Sequence, residues 1–360
     1  MKLPIPEYIK SIAPYVPGKP IEELEREYGI SNSIKLASNE NPLGPSPMAL
    51  AAVAGATANL HRYPDGAGFD LVQGLSRHLQ VKPEQIVIGN GSDDLLGMLA
   101  RVLLQPGDEV VVPTPSFLMY TIVTNSAGAV PVMVPLKDLS IDLDAVLDHI
   151  GPQTRIVFLC TPNNPTGTIL PSADLEAFLT KVPPEVLVVV DEAYFEFVRQ
   201  DCASGITFME RFPMVVTLRT FSKAYGLAGL RVGYGVMDAA LAELLNRIRM
   251  PFNVNVLAQI GASAALEDTQ FISKTLSVVH QGLDYLYAEL DKRGLRYFPS
   301  EANFFLIDVG QPAKAVFERL LTRGVIVRSM HGYGFPQYIR LSVGLPEENR
   351  RFLDAIDQVL

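Results

Sequence analysis

Three apolar runs near the middle of the chain, RIVFLC at 155–160, EVLVVVDEA at 185–193 and MVVTL at 214–218, constrain the fold more than any other feature. They are apolar at successive positions, not only at alternate ones, so strands formed from them must be covered on both faces. A mostly parallel sheet lying between layers of helices meets that requirement. QIVIG, DEVVVP, VPVMVPL and LRVGYGV read as further strands of the same sheet. LDAVLDHI and SADLEAFLTKV, which lie between them, carry helical spacing, and GSDDLLGMLARVLLQPGD opens on helix-capping residues and stops at Pro106-Gly107. This alternation is that of an α/β domain.

Beyond Asp238 the pattern changes to long helices, one of them running from Thr269 to Lys292 and stopping at Gly294. GLRYFP, ANFFLIDV, AKAVFERLLTRG, VIVRSM, YIRLSVG and EENRRFLDAIDQVL then give the order strand, strand, helix, strand, strand, helix. That order predicts a smaller α+β unit with an antiparallel sheet. The proline-rich first 20 residues read as an arm that must lie on something.

Composition excludes several functions. A net charge of -9 with no Lys/Arg-rich block argues against an electrostatic nucleic-acid binder, which needs a basic face. Cys160 and Cys202 make neither a CxxC pair nor a disulfide framework, which fits a reducing compartment. The five histidines lack metal-ligand spacing, so no zinc site is expected. No apolar run approaches about 18 residues, and the chain is read as soluble and cytoplasmic.

Four features fall at strand ends, where open α/β sheets bind their ligands. In GNGSDDLL at 89–96 a strand passes through a glycine turn into a helix, whose first N–H groups and dipole suit a phosphate; the same letters also make an ordinary helix cap. Gly89 and Gly91 begin a dinucleotide fingerprint that Asp94 breaks, which disfavours an NAD-dependent oxidoreductase. TPNNPTG at 161–167 is a tight turn that also offers the Asn164 amide to a ligand oxygen. In VVVDEAYFEF, Asp191 follows a buried strand and needs a partner there, and Tyr194 is either a core tyrosine or a phenol for the same site. In TFSKAYGLAGLR, Lys223 is flanked by Ser222 and glycines, with Arg231 following. Most lysines are solvated, but one desolvated in a pocket becomes a nucleophilic amine. A phosphate cup, a carboxylate, a phenol with an amide, and an amine are together what pyridoxal phosphate asks of a protein.

In these motifs, and in IAPYVPG, KLASNENPLGPSP, RYPDG, PTPSF, VIVRSM and YIRLSVG, the chain resembles the fold-type-I pyridoxal-phosphate aminotransferases, most closely the histidinol-phosphate aminotransferases. The resemblance runs over almost the whole length. It implies an arm at 1–35 packing on the small domain and a partner subunit, a large cofactor-binding domain at 36–250 and a small domain at 251–360. It makes Lys223 the Schiff-base lysine and Asp191 the partner of the pyridine nitrogen, with Tyr194 and Asn164 on the ring 3-hydroxyl oxygen. Phe117 takes the position of the ring that stacks on the cofactor. Gly91, Ser92, Asp93, Ser222 and Arg231 would hold the phosphate, helped by Tyr63 from a second subunit. Arg328, Arg340 and Asn39, with Tyr15 from the partner's arm, would meet the substrate. The implied reaction moves an amino group between histidinol phosphate and 2-oxoglutarate in a homodimer with shared sites. An aromatic-amino-acid aminotransferase or a threonine-phosphate decarboxylase of the same fold are the alternatives.

Overall fold

The structure, a computed structural model, describes residues 3–15 and 17–360; Met1, Lys2 and Val16, part of the expected arm, lie outside the described residues. A short strand, β1 (Ile34–Lys35), precedes the main sheet. The main sheet consists of β2 (Ile86–Gly89), β3 (Glu109–Thr114), β4 (Val130–Pro135), β5 (Thr154–Cys160), β6 (Leu187–Asp191), β7 (Val215–Thr220) and β8 (Gly233–Val236). Their order is β2-β8-β7-β6-β5-β3-β4, and every pairing is parallel except those of β8. The segment between β7 and β8 holds only the short turn Ala228–Leu230 and no crossover helix, so β8 returns antiparallel.

Both faces of the sheet are covered. Along β6, Val188 and Val190 enter one core while Leu187 and Val189 enter another on the opposite side. β5 divides likewise, Val157 and Leu159 against Ile156 and Phe158. Each valine or leucine so buried contributes about 1.5–3 kcal/mol, which is why strands without alternation persist here and nowhere on a surface. The helix Ser92–Leu103 turns Leu95, Leu96, Met98 and Leu99 into the second core. The helix Val256–Glu267, assigned by sequence to a unit beginning at 251, packs instead in the first core through Ala258, Ala262 and Ala265. Its small residues allow close approach: a β-carbon on Gly261 would meet Val53 at 3.1 Å.

The second sheet contains β9 (Arg296–Phe298) and β10 (Phe304–Asp308). After β11 (Val325–Ile326), which pairs in parallel with β1, come its remaining strands, β12 (Arg328–Ser329) and β13 (Tyr338–Ser342). It is antiparallel throughout, in the order β12-β13-β10-β9. VIVRSM, read as one strand, is thus split between two sheets. The helices Thr269–Lys292, Ala313–Thr322 and Pro346–Val359 share this sheet's core. The helix Ile21–Tyr28 rests on it through Leu24, against Leu321 and Ile326.

Candidate active site

The carboxyl ends of β2, β3, β5, β6 and β7 open onto a pocket that β12, β13 and the segment 36–40 close from the other side. Segment 36–40 is fastened to both smaller sheets: the Leu36 N–H donates to the Ile326 carbonyl of β11, and the Leu36 carbonyl accepts from the Ser342 N–H of β13. It presents the Ser38 carbonyl to Lys223, whose Nζ donates to it at 3.2 Å and sits 5.5 Å from the centre of the Tyr194 ring. Burial, seconded by the Arg340 guanidinium, lowers the Lys223 pKa to about 8. A lysine so placed carries an appreciable neutral fraction near neutrality, which a solvated one does not.

Asp191 ends β6 and is 3% exposed. Its Oδ2 accepts from the Tyr120 hydroxyl at 2.7 Å and its Oδ1 from the Ala193 N–H at 3.2 Å. Burial raises its pKa to about 6 against the pull of the Tyr120 hydrogen bond. Its bonded partners among the described residues are dipoles, so the negative charge is left without a counter-ion. Tyr194 is buried behind it, with its hydroxyl accepting from Asn39 Nδ2 at 2.9 Å and its own proton left to donate. Asn39 is 1% exposed and fully engaged, its Oδ1 accepting from Ser342 Oγ at 2.8 Å. Its amide therefore holds the Tyr194 phenol in place.

Where β2 ends, Gly91 precedes the helix Ser92–Leu103, and no side chain caps that N-terminus. The first N–H groups of the helix are left for a ligand, beside Ser92 and Asp93 on the pocket wall. Gly91 has φ +80°, and a β-carbon there would stand 2.6 Å from Arg231 Nη2. Arg231 itself takes a left-handed backbone with φ 58°, the kind of strain that collects at functional sites. Its Nη1 donates to Ser222 Oγ at 3.3 Å and to the Ala228 carbonyl at 3.2 Å, while Nη2 lies 3.5 Å from Asp93 Oδ2. Phe117, following β3, lines the pocket with its ring edge-on to Tyr120.

The other end is basic. Arg328 and Arg340 are register partners of β12 and β13, directly opposite one another. Like charges so placed repel, and an anion between them removes the penalty. Arg340 is 6% exposed; its Nη1 donates to Asn164 Oδ1 at 2.5 Å, its Nη2 to the Ala37 carbonyl at 2.8 Å, and its buried Nε has no partner among the described residues. Since guanidinium only donates, the Asn164 oxygen must face Arg340, leaving the Asn164 NH₂ for another acceptor.

The pocket thus brings together all the residues expected from sequence except two. Gly91 acts from just behind the wall, and Tyr63 lies on the surface, 82% exposed and stacked on Phe252. One assignment changes: Tyr15, expected from a neighbour's arm, lines the pocket of its own chain, with the Arg328 guanidinium 6.0 Å from its ring centre. Sequence reasoning missed Tyr120 and Ser38. The available signal for the first was a second aromatic, Tyr120, three residues after Phe117, a spacing that the turn leading into the helix Met119–Ser126 closes with a hydrogen bond from the Tyr120 N–H to the Phe117 carbonyl.

An α/β scaffold whose main sheet is covered on both faces, holding a lysine of lowered pKa, a buried carboxylate without a counter-ion and an open helix N-terminus, defines a site for an anionic, cation-bearing ring. The chain belongs to the family described as aminotransferase class I and II, whose sequence profile matches residues 31–356. It is 49% identical to histidinol-phosphate aminotransferase 1 of Nitrosococcus oceani over 98% of this chain and 95% of that protein. It is 47% identical to histidinol-phosphate aminotransferase 2 of Carboxydothermus hydrogenoformans, over 98% of each chain. Among solved structures, the histidinol-phosphate aminotransferase of Sinorhizobium meliloti in complex with pyridoxal-5'-phosphate superposes with a TM-score of 0.92 at 30% identity, covering 100% of this chain and 98% of that one.

Proposed function

We propose that the chain is a pyridoxal-phosphate aminotransferase that moves an amino group between L-histidinol phosphate and 2-oxoglutarate. The observation that carries the substrate assignment is the facing pair Arg328 and Arg340. It forms a second anion site, built from the antiparallel sheet and separate from the Arg231 cup, and its planar forks suit the phosphate of the amine and a carboxylate of the oxo acid alike. The relatives named above support the same reading.

The pocket fits the cofactor on three counts: the counter-ion that Asp191 lacks is a protonated ring nitrogen, the open helix start with Ser222 and Arg231 suits a phosphate, and Lys223 offers an amine of low pKa. When bound, pyridoxal phosphate supplies the carbonyl that takes the amino group and a ring that accepts electrons. The remaining work belongs to the chain. Lys223, in its neutral form, would take the proton from the carbon bearing the amine and give it up on the far side of the amine nitrogen, a transfer for which the Ser38 carbonyl holds its Nζ. Asp191 holds a protonated ring nitrogen, Tyr194 and the Asn164 NH₂ donate to the ring oxygen, and Phe117 gives an apolar face.

We also assign a homodimer. Tyr63 and Phe252 stack on one another at the surface, and both, like Leu60, Phe69 and Met250, are exposed by more than two-fifths; large apolar side chains left to water in contact with one another favour a protein interface. Gel filtration at the monomer mass with full activity overturns that assignment. A cytoplasmic location fits two free cysteines; among the described residues no helix is long and apolar enough to cross a membrane.

The test is a single-turnover screen of the loaded enzyme against histidinol phosphate, phenylalanine, tyrosine and aspartate, followed by the cofactor's absorbance. Histidinol phosphate is expected to react fastest, and Lys223→Ala to abolish turnover while retaining some cofactor through its phosphate. A preference for phenylalanine, or undiminished turnover without Lys223, overturns the corresponding assignment.

A further inference from the structure

We propose that Tyr120 is a positioning residue for the reaction: its phenol aims the Asp191 carboxylate at the cofactor's ring nitrogen and keeps the shared proton on that nitrogen. The proposal rests on reading the pocket as a pyridoxal-phosphate site. Tyr120 is completely buried in the helix Met119–Ser126. Its ring is stacked on Phe158 of β5, with centroids 4.6 Å apart and planes 9° from parallel, and meets the edge of Phe117 at 5.7 Å. Held between these rings, the phenol has one direction to point, and its hydroxyl lies 2.7 Å from Asp191 Oδ2. One side chain therefore backs the aromatic wall of the pocket and also fixes its acid.

The bond has a direction. Burial, with Asp191 nearby, pushes the phenol well above its usual pKa, so the proton stays on Tyr120 and the carboxylate remains the acceptor. A hydrogen bond received by a carboxylate stabilises its charged form. Other groups around Asp191 do not replace it. Asp93 faces it from the helix Ser92–Leu103 and repels it, Glu192 repels it too and is itself committed to Arg219, and the Cys160 thiol on β5, kept neutral by burial and by the Asp191 charge, brings no positive charge. Among the described residues, only the Ala193 N–H, on the other oxygen, works alongside Tyr120. With the phenol removed, Asp191 becomes the stronger base and the proton passes from ring nitrogen to carboxylate. The neutral ring accepts electrons less well, and the paired charges that hold the cofactor are lost.

Tyr120→Phe keeps the stacked ring and deletes only the hydroxyl. The loaded variant is expected to melt within a few degrees of wild type, to keep the KM for the amine within about twofold, and to lose roughly 10-fold or more in kcat and in cofactor affinity, as for a hydrogen bond to a charged group. The decisive step is a double-mutant cycle in cofactor Kd with Asp191→Asn. Acting through Asp191, Tyr120→Phe should have an effect of less than about twofold in the Asn background. An equal loss in both backgrounds makes Tyr120 a packing residue and overturns the proposal. So does a Tyr120→Phe enzyme indistinguishable from a wild type that loads cofactor normally. A wild type that takes up no cofactor removes the reading of the site itself, and this proposal with it.

Discussion

Asp191 and Glu192 are neighbours in sequence, both buried carboxylates at the end of one strand, and they meet opposite kinds of partner. Glu192 receives the Arg219 guanidinium through Nε at 2.9 Å and Nη2 at 2.7 Å, together with the Ser204 hydroxyl and the Gly205 N–H. Burial lifts its carboxyl, and the Arg219 charge and hydrogen bonds oppose that lift. Among the described residues Asp191 receives a phenol and one N–H, and no cation. A buried charge compensated from within belongs to the fold; one left wanting a cation is a demand for a ligand that brings one. The alternation of a strand separates the two, sending successive side chains to opposite faces.

The largest effect that follows concerns chemistry alone. Asp191→Asn should lower single-turnover rates about 10⁴-fold, or roughly 5 kcal/mol of barrier, while the melting temperature stays level or rises because an uncompensated charge has gone. A stability loss with near-normal turnover would reverse the roles assigned to the two carboxylates. On the other side, Arg219→Met strands Glu192 without its cation and should cost about 4 kcal/mol in urea unfolding, with the residual folded enzyme still loading cofactor. A loss of cofactor at undiminished stability would break the comparison.

Much of this contrast lies beyond local sequence signals. The strands of the main sheet were legible because their burial on both faces writes itself into uninterrupted apolar runs, and Asp191, Asn164 and Lys223 because Asp191 directly follows such a run and the other two stand in the turns just beyond one. The Tyr120 bond spans 71 positions and the Glu192 to Arg219 pair 27, and no periodicity reports which distant polar groups meet. Val256–Glu267 was placed with the wrong neighbours for a related reason: its alanines and glycine fit against either sheet, and only the facing helix Pro47–Ala56, itself built from small residues, decides between them. Tyr15 depended on the path of the arm, which proline-rich sequence leaves open.

The pH dependence of stability sharpens the contrast further. In the cofactor-free protein Asp191 has a pKa of about 6, raised by burial above the ordinary 3.8. Between those two values the folded state binds more protons than the unfolded one, so this residue's contribution falls as pH rises, by up to about 3 kcal/mol. The difference in unfolding free energy between wild type and Asp191→Asn, followed from about pH 4 to 7, should trace that decline. Loading with pyridoxal phosphate provides the counter-ion and should flatten it. A difference that is already flat in the cofactor-free protein would mean that Asp191 is compensated within the chain, as Glu192 is.

The smallest effect isolates the Glu192 side most cleanly. Arg219 is not only paired; its guanidinium lies 4.3 Å from the centre of the Phe195 ring, on the short turn Phe195–Phe197 that leads away from Tyr194. The ring face attracts the cation, and Phe195→Leu keeps the apolar contact while removing that attraction, at a cost of about 1 kcal/mol. In a protein of this size that is a fall of roughly 1–2 °C in melting temperature. Because Arg219 acts on Glu192 and Glu192 on the fold, the loss should stop there: cofactor affinity and single-turnover rates should stay within about twofold of wild type. If Phe195→Leu instead weakens cofactor binding in step with stability, strain is passing along the chain from residue 192 to residue 191, and the two carboxylates form one device serving the ligand.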